Sequence, residues 1–122
     1  MPTRLLDSET FTMTIWTCLQ ISHVVHPDDA TEALLGTLDS RRARALVGAG
    51  RYQPAYRLEL PDDMGDLEAC EQIFMAGNHE GPRASALQPL GPARSVSVGD
   101  LAVNERTGAA YLCVNIGWQK LP

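Results

Sequence analysis

Thr10-Phe11-Thr12-Met13-Thr14-Ile15-Trp16-Thr17-Cys18-Leu19-Gln20-Ile21-Ser22 alternates apolar side chains with threonines, the period-2 pattern of a half-buried strand. Phe11, Met13 and Ile15 form the apolar alternation, and the threonines stand on or near the other. The pattern slips at Trp16 to Cys18, where Thr17 takes a place the apolar set should hold, so a bulge or a change of face is expected there. A strand of this length needs partners. Tyr52 to Leu60 supplies one, with Tyr56, Leu58 and Leu60 alternating with Arg57 and Glu59, and with Pro54 tolerable near a strand start or at an edge. Further short β runs follow at Ser95–Val98, Leu101–Val103 and Ala110–Val114. The last two are joined by Asn104-Glu105-Arg106-Thr107-Gly108 as a hairpin loop, and Gly117-Trp118 leads a final strand to Leu121.

Helices fill the gaps between these runs. His26-Pro27-Asp28-Asp29 opens one, with proline in the first turn and acids at the positive end of the dipole. Its stripe of Ala30, Ala33, Leu34 and Leu38 is interrupted by Gly36. Asp39-Ser40 offers a second cap before Arg41–Val47, and Gly48-Ala49-Gly50 stops the run. Two pieces or one bent helix are expected. Asp66 is read as the cap of another helix, with Leu67, Cys70, Ile73 and Phe74 on its apolar face and Gly77-Asn78 at its end. Residues 81 to 92 are a loop rich in Gly, Pro and Ala, long enough to suggest a role. The expected fold is α+β: a small antiparallel sheet of about five strands with two or three helices packed on one face.

The length of 122 residues allows one domain, 1–122, in which a strand-helix-strand part (1–65) precedes a helix-plus-hairpin part (66–122). A charge of −5 argues against general affinity for nucleic acid or anionic membrane. Cys18, Cys70 and Cys113 are odd in number and lack CxxC spacing, so neither a disulfide framework nor a zinc ribbon is signalled. Met1 to Asp7 has no apolar signal core, and no segment reaches the length of a membrane span. A cytoplasmic protein is expected.

Candidate chemistry is sparse. His23 and His26, with Asp28 and Asp29 behind them, have a spacing that a helix could turn toward a metal, but a strand-to-helix connection explains them as turn and capping residues; no metal and no cofactor are expected. A cysteine nucleophile would pair one of the three cysteines with His23 or His79, yet each cysteine falls in an apolar run and reads as a core thiol. There is no phosphate loop, nucleophile elbow or HExxH pair. Arg41, Arg42, Arg44 and Arg51 form the basic cluster, read as a solvated helix face, so bare DNA is not expected to bind. Asp62, Asp63, Asp66, Glu68, Glu71 and Glu80 form an acidic stretch without a base, open to ordinary turn and helix chemistry or to mimicry of a phosphate backbone.

Leu67-Glu68, Ile73-Phe74 and Asn78, a Gly/Pro spacer, Arg94-Ser95-Val96-Ser97-Val98-Gly99-Asp100-Leu101, Tyr111-Leu112-Cys113 and Gly117-Trp118 follow one another in an order that resembles the YodL-like domain family and related modules of phage and plasmid polyvalent proteins. The resemblance covers residues 67–121. Arg-Ser-x-Ser-Val-Gly-Asp is its specific part, and the chain departs from it at Ala93 and Ala102, where the family carries glycine and a larger apolar residue. The resemblance implies a mobile-element setting and no established reaction. In the string, Val96 and Val98 are expected to face the core and Ser95 and Ser97 solvent, with a positive φ at Gly99 and Asp100 accepting backbone hydrogen bonds. Arg94 and Trp118 carry recognition chemistry, while Arg94 could equally pair with Asp100 and Trp118 lid the sheet.

The expected function is a small non-enzymatic accessory protein of a phage, prophage or plasmid that binds a host or element-encoded protein, with inhibition of restriction or CRISPR as the specific form. The expected binding residues are Asn78, Arg94, Ser95, Ser97, Asp100 and Trp118, with Asp62, Asp63, Asp66, Glu68 and Glu71 as the alternative surface. Two other classes stay open: a small-molecule or nucleotide sponge using the 81–92 loop and Trp118, and a cysteine or metal hydrolase.

Overall fold

The threonine-rich stretch is the centre of the molecule. The computed structural model describes residues 12–122, and the readings of Thr10, Phe11 and Met1–Asp7 lie outside the described residues. The chain forms β1 (Met13–Ile21), α1 (Pro27–Leu34), α2 (Ser40–Gly48), β2 (Tyr52–Pro61), α3 (Asp66–Gly77), a 3-10 turn (Ala84–Ala86), β3 (Gln88–Pro89), β4 (Leu101–Asn104), β5 (Ala110–Cys113) and β6 (Trp118–Lys120). The fold is α+β, with a six-stranded sheet in the order β3-β2-β1-β4-β5-β6 and antiparallel pairing throughout. β1 and β2 of the first part thus share one sheet with β4 to β6 of the second.

The helices cover both faces of this sheet, which corrects the expectation of one. Trp16, Cys18, Leu58, Leu60, Ala102 and Tyr111 pack with Ala69, Cys70, Ile73 and Ala76 of α3. Ile21, Leu101, Ala110 and Leu112 pack with Ala30 and Ala33 of α1 and Ala43 and Leu46 of α2. Leu101-Ala102-Val103 and Ala110-Tyr111-Leu112-Cys113 are apolar at every position, so β4 and β5 have a face to bury on each side.

The two sides of β1 are also not as the threonines suggested. Thr14, Trp16 and Cys18 are buried, whereas Met13 and Ile15 are 44% and 38% exposed. Trp16 decides the parity because it is the largest apolar side chain of the strand, and α1 and α2 cover only the Leu19 and Ile21 end of the other face. The register shift lies between Cys18, opposite Tyr56, and Leu19, opposite Pro54. The extra residue is therefore Ala55 on β2, one strand away from where the slip in β1 pointed, and it lets Pro54 sit inside the strand.

Residues 27–48 form two helices. The second is capped by Asp39, whose Oδ1 accepts the Arg42 N–H at 2.7 Å. α3 begins after Gly65 with no side-chain cap, so Asp66 is not the cap expected. Its carboxylate instead accepts the Tyr111 hydroxyl at 2.6 Å and the Asn104 amide at 3.4 Å. Leu67, expected on the apolar face, is 59% exposed; at 100° per residue it falls beyond the arc of Ala69, Cys70, Ile73, Ala76 and Gly77. Asn104 Oδ1 also accepts the Arg106 and Thr107 N–H groups, which shapes the β4–β5 hairpin. None of the described helices is long and apolar enough to cross a membrane.

Candidate functional site

The Arg94–Asp100 string is not a strand. It is an irregular segment laid over the sheet and held by side chains, and its core is Asp100, which is completely buried. The Arg94 guanidinium meets that carboxylate through both ends of its fork, Nη1 to Oδ2 at 3.2 Å and Nη2 to Oδ1 at 3.1 Å, while Nη1 also donates to Ser97 Oγ at 3.0 Å. Asp100 Oδ2 further accepts the Ser97 backbone N–H at 2.9 Å and Gln20 Nε2 at 3.0 Å. Burial pushes the Asp100 carboxyl up, opposed by Arg94, the Ser97 N–H and Gln20.

Two tyrosines tie the same segment to β2, with Tyr56 donating to the Arg94 carbonyl at 2.8 Å and Tyr52 to the Gly99 carbonyl at 2.7 Å. Gln20 grips the Arg94 backbone from both sides: its Oε1 accepts the N–H and its Nε2 donates to the carbonyl. Asn78 bonds the Phe74 and Val96 carbonyls. The two helices close in on the string from either end. A Cβ on Gly77 would lie 2.1 Å from Val96 Cγ2, and one on Gly99, whose φ is +93°, would lie 2.5 Å from Ala33 Cβ and 2.7 Å from the Ala33 carbonyl oxygen. Val96 is buried and Ser95 exposed as expected, but Val98 and Ser97 are both half-buried. The string therefore brings Asn78, Arg94, Ser97 and Asp100 together as an internal knot. Gln20, Tyr52 and Tyr56 complete it. Those three were missed by sequence reasoning; the only signal was Gln20, a polar residue at the buried parity of β1.

Trp118 is elsewhere. The 81–92 loop contributes β3 at one edge of the sheet and Trp118 stands on β6 at the other, roughly 24 Å apart by strand spacing. The Arg94–Asp100 string and β3 therefore do not form one region with Trp118, while the start of the 81–92 loop lies against Met75 of α3. The Trp118 indole packs half-buried beside α3 and donates to Glu71 Oε1 at 3.0 Å. Leu67, Glu71 and Phe74, at i, i+4 and i+7, present one stripe of α3. Together with Val114 and Trp118, Glu71 and Phe74 line a groove of ≈ 180 Å³, and Ile116 in the adjoining turn is 93% exposed. Of the acidic stretch, Asp66 is engaged with Tyr111, and Asp62 with Thr14 and Arg106. Asp63, Glu68 and Glu71 are exposed.

A larger cleft, ≈ 480 Å³, opens at the Ile21 end of β1, between residues 20–25, residues 53–55 of β2 and Pro92–Arg94.

No family model, curated protein or solved structure matches the chain.

The remaining candidates are dispersed. His23 lies in the turn after β1, and His26 directly precedes α1. His79 follows α3 in the left-handed region at φ 62° and is exposed. Among the described residues no three His, Cys, Asp or Glu side chains gather as a metal site. All three cysteines are buried. Burial pushes the Cys18 thiol well up, with the Asp100 charge adding to it, and takes Cys70 and Cys113 to about 12, the opposite of what a nucleophilic thiolate needs. In the basic cluster, Arg42 pairs with Asp29 and Glu32, Arg51 pairs with Asp29, and Arg44 donates to the Pro122 carbonyl.

Proposed function

We propose that this chain is a small non-enzymatic accessory protein of a phage, prophage or plasmid, acting in the cytoplasm by binding a host or element-encoded protein through the ledge of Trp118 and the outer stripe of α3. The observation that carries the reading is the 3.0 Å hydrogen bond from the Trp118 indole to Glu71, which joins the aromatic candidate and the acidic candidate into one surface. A half-buried tryptophan beside exposed Leu67 and Ile116, rimmed by Glu68 and Glu71, is the composition of an interface hot spot with a polar rim. The acidic rim favours a partner whose contact surface is basic, as nucleic-acid-binding faces are. Inhibition of such a defence system is the specific form of the proposal, and the mobile-element setting rests on the resemblance over residues 67–121.

The test compares the wild type with Trp118→Ala and Glu71→Arg in cells that carry an active restriction or CRISPR system, scoring plasmid or phage survival, with thermal melting of each variant measured in parallel. The reading expects protection by the wild type and its loss in both variants at nearly unchanged melting temperature. Protection that persists in both variants, or a wild type that protects against no system while retaining no partner in affinity purification, overturns it.

A further inference from the structure

We infer that the ≈ 480 Å³ cleft at the end of β1 is a binding site for a small amphipathic carboxylate, with its apolar body against Val24, Val25, Pro54 and Pro92 and its head toward Arg94. This site is separate from the Trp118 ledge and does not depend on it. The volume falls within the range of small-molecule sites, which are mostly apolar with a few placed polar groups. Most of the lining fits that description, and Val25 is 59% exposed.

The polar part selects the charge of the head. Among the described residues, His23 and Arg94 are the ionisable ones in the lining and no carboxylate lines it, although the chain as a whole carries −5. Arg94 has donors to spare. Its Nη1 hydrogens serve Ser97, Asp100 and, at 3.4 Å, the Ser95 carbonyl, and Nη2 serves Asp100 once. Of the five N–H donors of a guanidinium, Nε–H and the second Nη2–H have no partner among the described residues, and the side chain is 28% exposed. Because Asp100 offsets the net charge of Arg94, selectivity comes from the directed N–H donors. A carboxylate can accept them, an alcohol accepts them more weakly, and an ammonium cannot accept them. Gln20 and Tyr56 fix the Arg94 backbone and Asp100 and Ser97 fix its guanidinium, so the donors are preorganised.

The experiment is a ¹H–¹⁵N titration of the full chain with octanoate, octan-1-ol and octylammonium. Octanoate is expected to shift the amides of Ile21, Val25, Gln53 and Ala93 saturably and to bind about tenfold tighter than the alcohol, the effect of a charge-assisted hydrogen bond at a partly exposed site, with octylammonium no tighter than the alcohol. Ala93→Glu, at an exposed position outside the knot and outside the apolar wall, is expected to weaken octanoate by about tenfold and to leave the alcohol within about twofold. Trp118→Ala should leave all three ligands unchanged. Equal affinity for octanoate and octanol, shifts that cluster at the Trp118 groove, no saturable shift in the cleft, or an Ala93→Glu variant that binds octanoate like the wild type would each overturn the assignment.

Discussion

Arg94 turns its fork onto a buried carboxylate and shares its backbone with Gln20 and Tyr56, while across the sheet Trp118 gives its one N–H to Glu71 on an exposed helix stripe. Both residue types dominate binding hot spots, and both sit in the second part of the chain, residues 66–122. Their surroundings differ. Around Arg94 the neighbours are buried polar groups that need its charge, so most of its donors are consumed inside the fold. Around Trp118 the neighbours are half-exposed apolar side chains and exposed carboxylates, which a partner can still cover. Recognition chemistry becomes a surface only where the fold leaves it unsatisfied.

The sharpest way to break this comparison is to attack the knot. Gly99→Ala forces a Cβ into the Ala33 carbonyl at a left-handed φ and should cost about 3 kcal/mol or more of unfolding free energy in urea titration. Asp100→Ala strands Arg94 and removes the acceptor of Ser97 and Gln20, with a similar loss of about 3 kcal/mol, even though a buried pair as a whole adds little stability. If Asp100→Ala melts like the wild type, the knot is not structural and Arg94 returns as a candidate surface residue. Trp118→Ala is the contrasting case: about 2 kcal/mol lost from partner binding, with a smaller fall in melting temperature than Asp100→Ala. A fall equal to that of Asp100→Ala would make Trp118 a core residue and remove the ledge.

The ionisation of Asp100 gives a finer test. Because burial raises its carboxyl above the ordinary value, the folded state takes up the proton more readily than the unfolded chain. Stability from this group is therefore full below the unfolded carboxylate value of about 3.9 and is lost as pH rises through the folded value. Relative to Asp100→Asn, the wild type should gain stability on acidification from neutrality. A relative loss would show that Arg94 outweighs the burial. The smallest effect expected is on the thiols: with Cys18, Cys70 and Cys113 buried and raised, iodoacetamide at neutral pH should label the native protein slowly and the urea-unfolded protein fast, and labelling should not track loss of partner binding.

Local signals were legible where one residue and its near neighbours decide the outcome. The Asp39 cap, the break at Gly36, the β4–β5 hairpin and the left-handed Gly99 all follow from turn and capping chemistry within a few positions. The candidate site was legible only in part. Arg94 with Asp100 was readable as a pair, but Gln20, 74 residues away from Arg94, was not, because nothing local marks a glutamine as the other jaw of a clamp. The joining of Trp118 with Glu71 escaped for the same reason: they are 47 residues apart, and only the packing of α3 beside β6 makes them neighbours.

By itself, then, the amino-acid sequence determined the α+β class, most of the strands and helices and the placing of the three cysteines in apolar runs that the fold buries, since these depend on periodicity and residue chemistry. The tertiary structure decided which face of β1 is buried, that helices cover both sides of the sheet, that Ser95–Val98 is a clamped loop, and that β3 and Trp118 lie at opposite edges. Those outcomes depend on strand order and on the volume of Trp16 against its neighbours, contacts between distant residues that no window of the chain contains.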